Sequence, residues 1–202
     1  MSENTPAPDT RPARKFFVPA AWTPVLDPDA GPDASPAYFH AAAHGSVSST
    51  WAHDEGFRYC IEGGPVELTT TEAEALLGNI MRALHTARTT AALIAEGLAA
   101  AIVGRPESLG LHSLTAPERD ESDGSLLSFQ LPAHGPVVTL WDPEDGFTYF
   151  VADCLELDGF GARRLAGALQ EAMKANAAAR FAMEDIAARY AAGENLEGVE
   201  WR

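Results

Sequence analysis

The chain reads as an α+β protein built from two tandem copies of an antiparallel β-hairpin-rich unit, each followed by one long helix, with the copies related by a pseudo-two-fold axis. Two observations predict this. Residues 43–59, AHGSVSSTWAHDEGFRY, return at a constant offset as residues 133–149, AHGPVVTLWDPEDGFTY. The identities are Ala43/Ala133, His44/His134, Gly45/Gly135, Val47/Val137, Trp51/Trp141, Gly56/Gly146, Phe57/Phe147 and Tyr59/Tyr149. A repeat of this kind sets the architecture before any single element is considered. The second observation is that each copy runs into a helical stripe of apolar and small residues at alternating three- and four-residue steps.

Three segments follow from this: a disordered polar tail over 1–15, a first β-β-β-α repeat over 16–104 and a second over 105–202, packed as one globular unit. The tail carries three prolines and no apolar periodicity. Residues 16–22 suit a first strand, confined to an edge by Pro19. Residues 27–36, DPDAGPDASP, form a loop whose counterpart is 116–124. Residues 38–43 and 126–131 read as strands ending at the His-Gly pairs, and 47–51 and 137–141 as the strands that follow. Acidic turns come next, with Gly56 and Gly146 suited to positive φ. Residues 57–68 and 147–157 then return as single closing strands, and one sheet could run through both copies. Helices are expected over about 72–102 and 162–192, on the order of 45 Å each. Thr69 with Glu72 makes a capping box before the first, and Asp158 an N-cap before the second.

A net charge of −15 disfavours nucleic-acid backbones and anionic membrane surfaces and favours a basic protein partner. The charge is uneven: nine carboxylates and no Lys or Arg lie between residues 120 and 162. Asp142, Glu144, Asp145, Asp153 and Glu156 are the candidate partner-binding residues. Cys60 and Cys154 fall at non-equivalent repeat positions, which argues against a disulfide framework and for reduced core thiols. No stretch has the length and apolarity of a membrane span, and the N-terminal residues lack the apolar core of a signal peptide; the expected location is cytoplasmic.

Two chemical readings compete. A histidine beside a glycine in both copies could be a base or a ligand, and His40, His44 and Asp54 are the candidate metal ligands. A His-Gly pair between apolar segments is also the pattern of a tight turn, and neither His40 nor His53 is duplicated. Trp51/Trp141, Phe57/Phe147 and Tyr59/Tyr149 suit cross-strand core pairs better than a ligand pocket. Nucleotide-binding glycine loops, nucleophile elbows and zinc-protease motifs are absent from the sequence. No cofactor is expected. The favoured function is a non-catalytic acidic binding or regulatory protein with an unknown basic macromolecular partner, antitoxin-like or mimicking nucleic-acid charge. A small metal-dependent enzyme or ligand-binding protein is the alternative. The small-residue stripe could close within one chain or against a second subunit, so a homodimer is an open alternative.

The segment VVTLWDPEDGFTYFVADCLEL, residues 137–157, with the helix after it resembles the opening of HicB-type antitoxins, where strand, acidic turn and strand precede a helix. The resemblance covers some forty residues, and the proline- and glycine-rich segment of that family is missing. No function is carried across from it.

Overall fold

The computed structural model describes residues 22–25, 38–64, 67–95, 120–122 and 127–192. Its first sheet is a meander of five strands, β1 (Trp22–Val25), β2 (Tyr38–Ala41), β3 (Val47–Ala52), β4 (Gly56–Ile61) and β5 (Leu68–Thr69). Helix α1 (Thr70–Ala95) follows. The second sheet has four strands, β6 (Phe129–Gln130), β7 (Val137–Asp142), β8 (Gly146–Val151) and β9 (Leu155–Asp158), and leads into α2 (Gly159–Ala191). Every strand pair is antiparallel. The architecture is thus α+β, each sheet followed by a helix.

The paired strands β3–β4 and β7–β8 share one register, Trp51 opposite Phe57 and Trp141 opposite Phe147. Their turns explain the repeated glycines. Gly45 and Gly135 have φ of 59° and 55°, and the backbone of His44 and His134 bonds reciprocally to Val47 and Val137. A positive φ at the first central position alone is the pattern of a type II′ hairpin turn, and it accommodates Pro136 at the second. Gly56 and Gly146, at φ 74° and 79°, close the acidic turns in the same left-handed region.

Among the described residues the strands form two sheets, not one continuous across the copies. The closing strand of each copy is two strands separated by a turn. Gly63 turns the first at φ 72°, while Ala152 and Asp153 turn the second at φ 51° and 57°. This turn also absorbs the residue by which the repeat offset changes. The first strand begins at Trp22 among the described residues, and Pro24 sits on it where an edge position tolerates a missing N–H. Cys154 is exposed in the β8–β9 turn and Cys60 is only half-buried, so neither is a core thiol, although both are free. The expected tail over 1–15, strand residues 16–21, the loop 27–36, most of 116–124 and helix residues 96–102 lie outside the described residues.

The helices start where their caps dictate. Thr69 Oγ1 accepts from the Glu72 amide at 3.2 Å, and the Glu72 carboxylate accepts from the Thr69 amide at 2.8 Å, completing the capping box. The Thr69 amide and the Thr69 hydroxyl, both donating to it, hold the Glu72 carboxyl below its ordinary range. Asp158 accepts from the Gly161 amide at 2.6 Å.

One core takes the inward face of both sheets, including Val47, Tyr59, Val137 and Tyr149, together with stripes from both helices. Ala73, Leu76, Ile80, Ala83, Ala87 and Thr90 of α1 are all buried, so its stripe is used within the chain. A second cluster places Ala179, Met183 and Ile186 of α2 over Trp22, Phe39 and Trp51 of the first sheet. The aromatics pack across strands, Phe39 with Trp51 at 5.8 Å and Phe129 with Trp141 at 5.1 Å between ring centroids. Trp51, Tyr59 and Tyr149 are buried, whereas Trp141, Phe57 and Phe147 are half-buried.

A difference between the copies leaves a polar group stranded. Asn176 of α2 donates to Ser49 Oγ at 3.2 Å under the first sheet. The residue equivalent to Ser49 is Thr139, but the equivalent of Asn176 is Ala87, which has nothing to donate. Thr139 is 1% exposed and its hydroxyl has no partner. Thr139→Val should therefore raise the unfolding free energy by about 1 kcal/mol. Chemical denaturation would measure this, and a loss of stability would mean that the hydroxyl is bonded in solution.

Candidate functional site

The two repeated histidines, His44 and His134, are placed at different sites. His134 Nε2 lies 3.1 Å from Thr86 Oγ1 of α1. The first-copy turn lies instead on α2, where a Cβ on Gly45 would stand 3.6 Å from Ala168. The histidines' charged neighbours differ in sign: Arg82 of α1 acts on His134, whereas Glu171 of α2 feels His44. Burial, aided by Arg82, holds the His134 imidazole below its ordinary value. Its charged form is therefore disfavoured in the fold. In the unfolded chain the same ring takes up a proton near pH 6.5, so His134 contributes stability above that pH, and the contribution falls away as the pH drops through it. An NMR titration of the imidazole Cε1 proton should give a midpoint below 6.5; a midpoint at or above it would contradict the burial.

His40 is exposed on β2 opposite Thr50, His44 sits in the β2–β3 turn and Asp54 in the β3–β4 turn. Among the described residues no group of three or more His, Cys, Asp or Glu side chains could hold a metal ion. His40, His44 and Asp54 are thus not gathered into one set.

The candidate partner-binding carboxylates occupy the second sheet. Asp142 organises its own turn: it accepts from the Glu144 amide at 2.8 Å and the Asp145 amide at 3.3 Å. It also takes a hydrogen bond from Ser128, and these bonds hold its carboxyl below the usual range. Glu144 and Asp145 are exposed at this end of the sheet, Asp153 at the opposite end and Glu156 on β9. Described residues 120–122 and 127–158 hold eight carboxylates (Asp120, Glu121, Asp142, Glu144, Asp145, Asp153, Glu156, Asp158) and no Lys or Arg.

Strand parity shows what these acids surround. Val137, Thr139, Tyr149 and Val151 point into the core, so Val138, Leu140, Thr148 and Phe150 point outward. Val138 stands opposite Phe150, and Phe150 opposite Glu156. Leu140, 38% exposed, stands opposite Thr148, which stands opposite Asp158. The outward face therefore has an apolar centre edged by Asp142, Glu156 and Asp158. In the first sheet the corresponding outward residues are Ser48, Thr50 and Cys60, with the exposed Tyr38 on the same side of β2. The inward partners repeat across the copies, Val47 with Val137 and Tyr59 with Tyr149, while Ser48/Val138, Thr50/Leu140 and Cys60/Phe150 do not. The apolar centre is thus no requirement of the repeated fold.

A second feature escaped the sequence, because it depends on how the helices cross. A groove of about 900 Å³ opens between α1, the start of α2 and β8, with Phe147 and Tyr149 on its floor. Burial pushes the Tyr149 phenol above its ordinary value, and Arg163 beside it opposes that rise.

No family model matches the chain, no curated protein is similar to it at a significant level, and no solved structure matches its fold. The resemblance of residues 137–157 to HicB-type antitoxins accordingly carries no function. Among the described residues no helix is long and apolar enough to cross a membrane.

Proposed function

We propose that the protein is a non-catalytic binding or regulatory protein that engages a basic macromolecular partner through the outward face of its second sheet. The observation that carries this reading is the contrast between the two outward faces. The same backbone holds Ser48, Thr50 and Cys60 in one copy and Val138, Leu140 and Phe150 in the other. An apolar centre within a carboxylate border suits an amphipathic basic element better than a bare array of positive charge. A mimic of nucleic-acid charge would need the carboxylates in its middle, so an antitoxin-like binder of a basic protein is the favoured form. Apolar side chains at the centre of an interface supply affinity, and charges at its rim supply steering and salt dependence.

The two copies are read as a fused homodimer with a pseudo-two-fold axis, an arrangement supported by reciprocal contacts. A Cβ on Gly45 would meet Ala168 of α2, and one on Gly135 would meet Asn79 of α1; Asn79 and Ala168 are equivalent positions. An isologous interface produces contacts in such pairs. Two free thiols suit a reducing compartment, and we place the protein in the cytoplasm.

Affinity capture from source lysate, eluted in steps of increasing salt, tests the reading. A basic protein released by moderate salt is the expected result. Capture of acidic proteins only, or of nothing at low salt, would contradict it.

A further inference from the structure

We propose that the groove between α1 and the start of α2 binds an amphipathic organic anion, a carboxylate carried on a long apolar body. Its volume of about 900 Å³ lies within the range of small-molecule sites. Leu84 and Phe147 line it and give the apolar body a surface to bury against. His85 and Arg88 of α1 and Arg163 of α2 line it too. That is two guanidiniums and an imidazole in one groove of a chain with 14 basic and 29 acidic residues.

Neither Arg88 nor Arg163 pairs with a carboxylate among the described residues, whereas Arg58, Lys174 and Arg189 do. Two carboxylates also line the groove. Among the described residues neither Asp145 nor Asp158 forms an ion pair with Arg88 or Arg163, and Asp158 accepts from the Gly161 amide at 2.6 Å. The guanidinium of Arg163 reaches back over the start of α2, its Nη2 3.8 Å from where a Cβ on Gly159 would stand. The repeated fold does not require this set. The positions equivalent to Arg88 and Arg163 in the other copy are Ala177 and Glu74. An anionic head would bond to the guanidiniums while its chain covers the floor, and the charge-assisted contact would set acid apart from alcohol.

Titration with 11-(dansylamino)undecanoic acid below its aggregation threshold, followed by displacement with dodecanoate or dodecan-1-ol, tests this on the full chain. Saturable one-site binding is expected, with dodecanoate displacing the probe at least about tenfold better than the alcohol. Arg88→Gln with Arg163→Gln should remove that preference. Gly167 also lines the groove, and a Cβ there meets nothing within 4 Å. Gly167→Phe should therefore fill the groove and abolish probe binding while the helix keeps its thermal stability. The proposal is overturned by equal displacement by acid and alcohol, by unchanged binding to folded Gly167→Phe, or by no saturable binding. None of these substitutions touches the outward face of the second sheet, so this outcome is independent of the partner-binding reading.

Discussion

Leu169→Ala is expected to lower the unfolding free energy by about 3 kcal/mol, and Ile80→Ala, at the equivalent position of α1, by a similar amount. Both side chains are fully buried in the core that takes the inward faces of both sheets. A truncated leucine or isoleucine loses its transfer free energy and leaves a cavity that rigid neighbours cannot close. Such a loss is a large share of the roughly 5–15 kcal/mol that holds a domain together. The position of the two residues makes a sharper claim than the size of the effect. Because one core serves both copies, either substitution should lower the midpoint of a single cooperative transition. Thermal unfolding followed by tryptophan fluorescence and by far-ultraviolet circular dichroism would check this. Two separated transitions, with each substitution moving only one, would show that the copies unfold independently.

The second large effect concerns binding. Grafting the outward residues of the first sheet onto the second, as Val138→Ser, Leu140→Thr and Phe150→Cys together, should weaken partner binding about thirtyfold or more. That is the scale of losing a central aromatic contact with its apolar neighbours. Stability should change by no more than about 1 kcal/mol, because the first sheet already carries these residues at the same positions. Neutralising Glu156 to Gln should act differently, lowering the salt sensitivity and association rate more than the affinity at high salt. Surface plasmon resonance at two ionic strengths separates the cases. If the graft binds as the parent does, the apolar centre has no part in recognition.

Much of the fold is legible in the sequence where the determinants are local. Gly45, Gly135, Gly56 and Gly146 mark turns because only glycine takes a positive φ without cost, and all four do so. Thr69, Glu72 and Asp158 mark helix starts because the oxygens of Thr69 and Asp158 reach the amide three residues on, and that of Glu72 the amide three residues back. The β8–β9 turn is not legible. Ala152 and Asp153 adopt left-handed backbone without glycine or proline to announce it, so two strands read as one. The outward placement of Cys60 is legible in the strand alternation. Tyr59 and Ile61 point inward, and alternation sends the residue between them outward.

The same parity rule was the available signal for the outward face. Along β7 and β8 the repeated residues alternate with divergent ones, and the divergent set includes Val138, Leu140 and Phe150. The acids alone show charge, whereas the alternation shows what the charges border. The groove lay beyond sequence reasoning altogether. Leu84, Arg88, Phe147 and Arg163 meet only through the packing of two helices against a strand.

On the proposed reading, the second sheet's outward face recognises a basic amphipathic partner. The most direct test of this recognition is a ¹⁵N chemical-shift map of the protein titrated with a short helical peptide of lysine and leucine, beside an oligolysine of equal charge. The Lys/Leu peptide should shift the amides of Val138, Leu140 and Phe150 and bind more tightly than oligolysine. Equal shifts from the two peptides, or shifts spread over the acidic turns of both sheets, would contradict it.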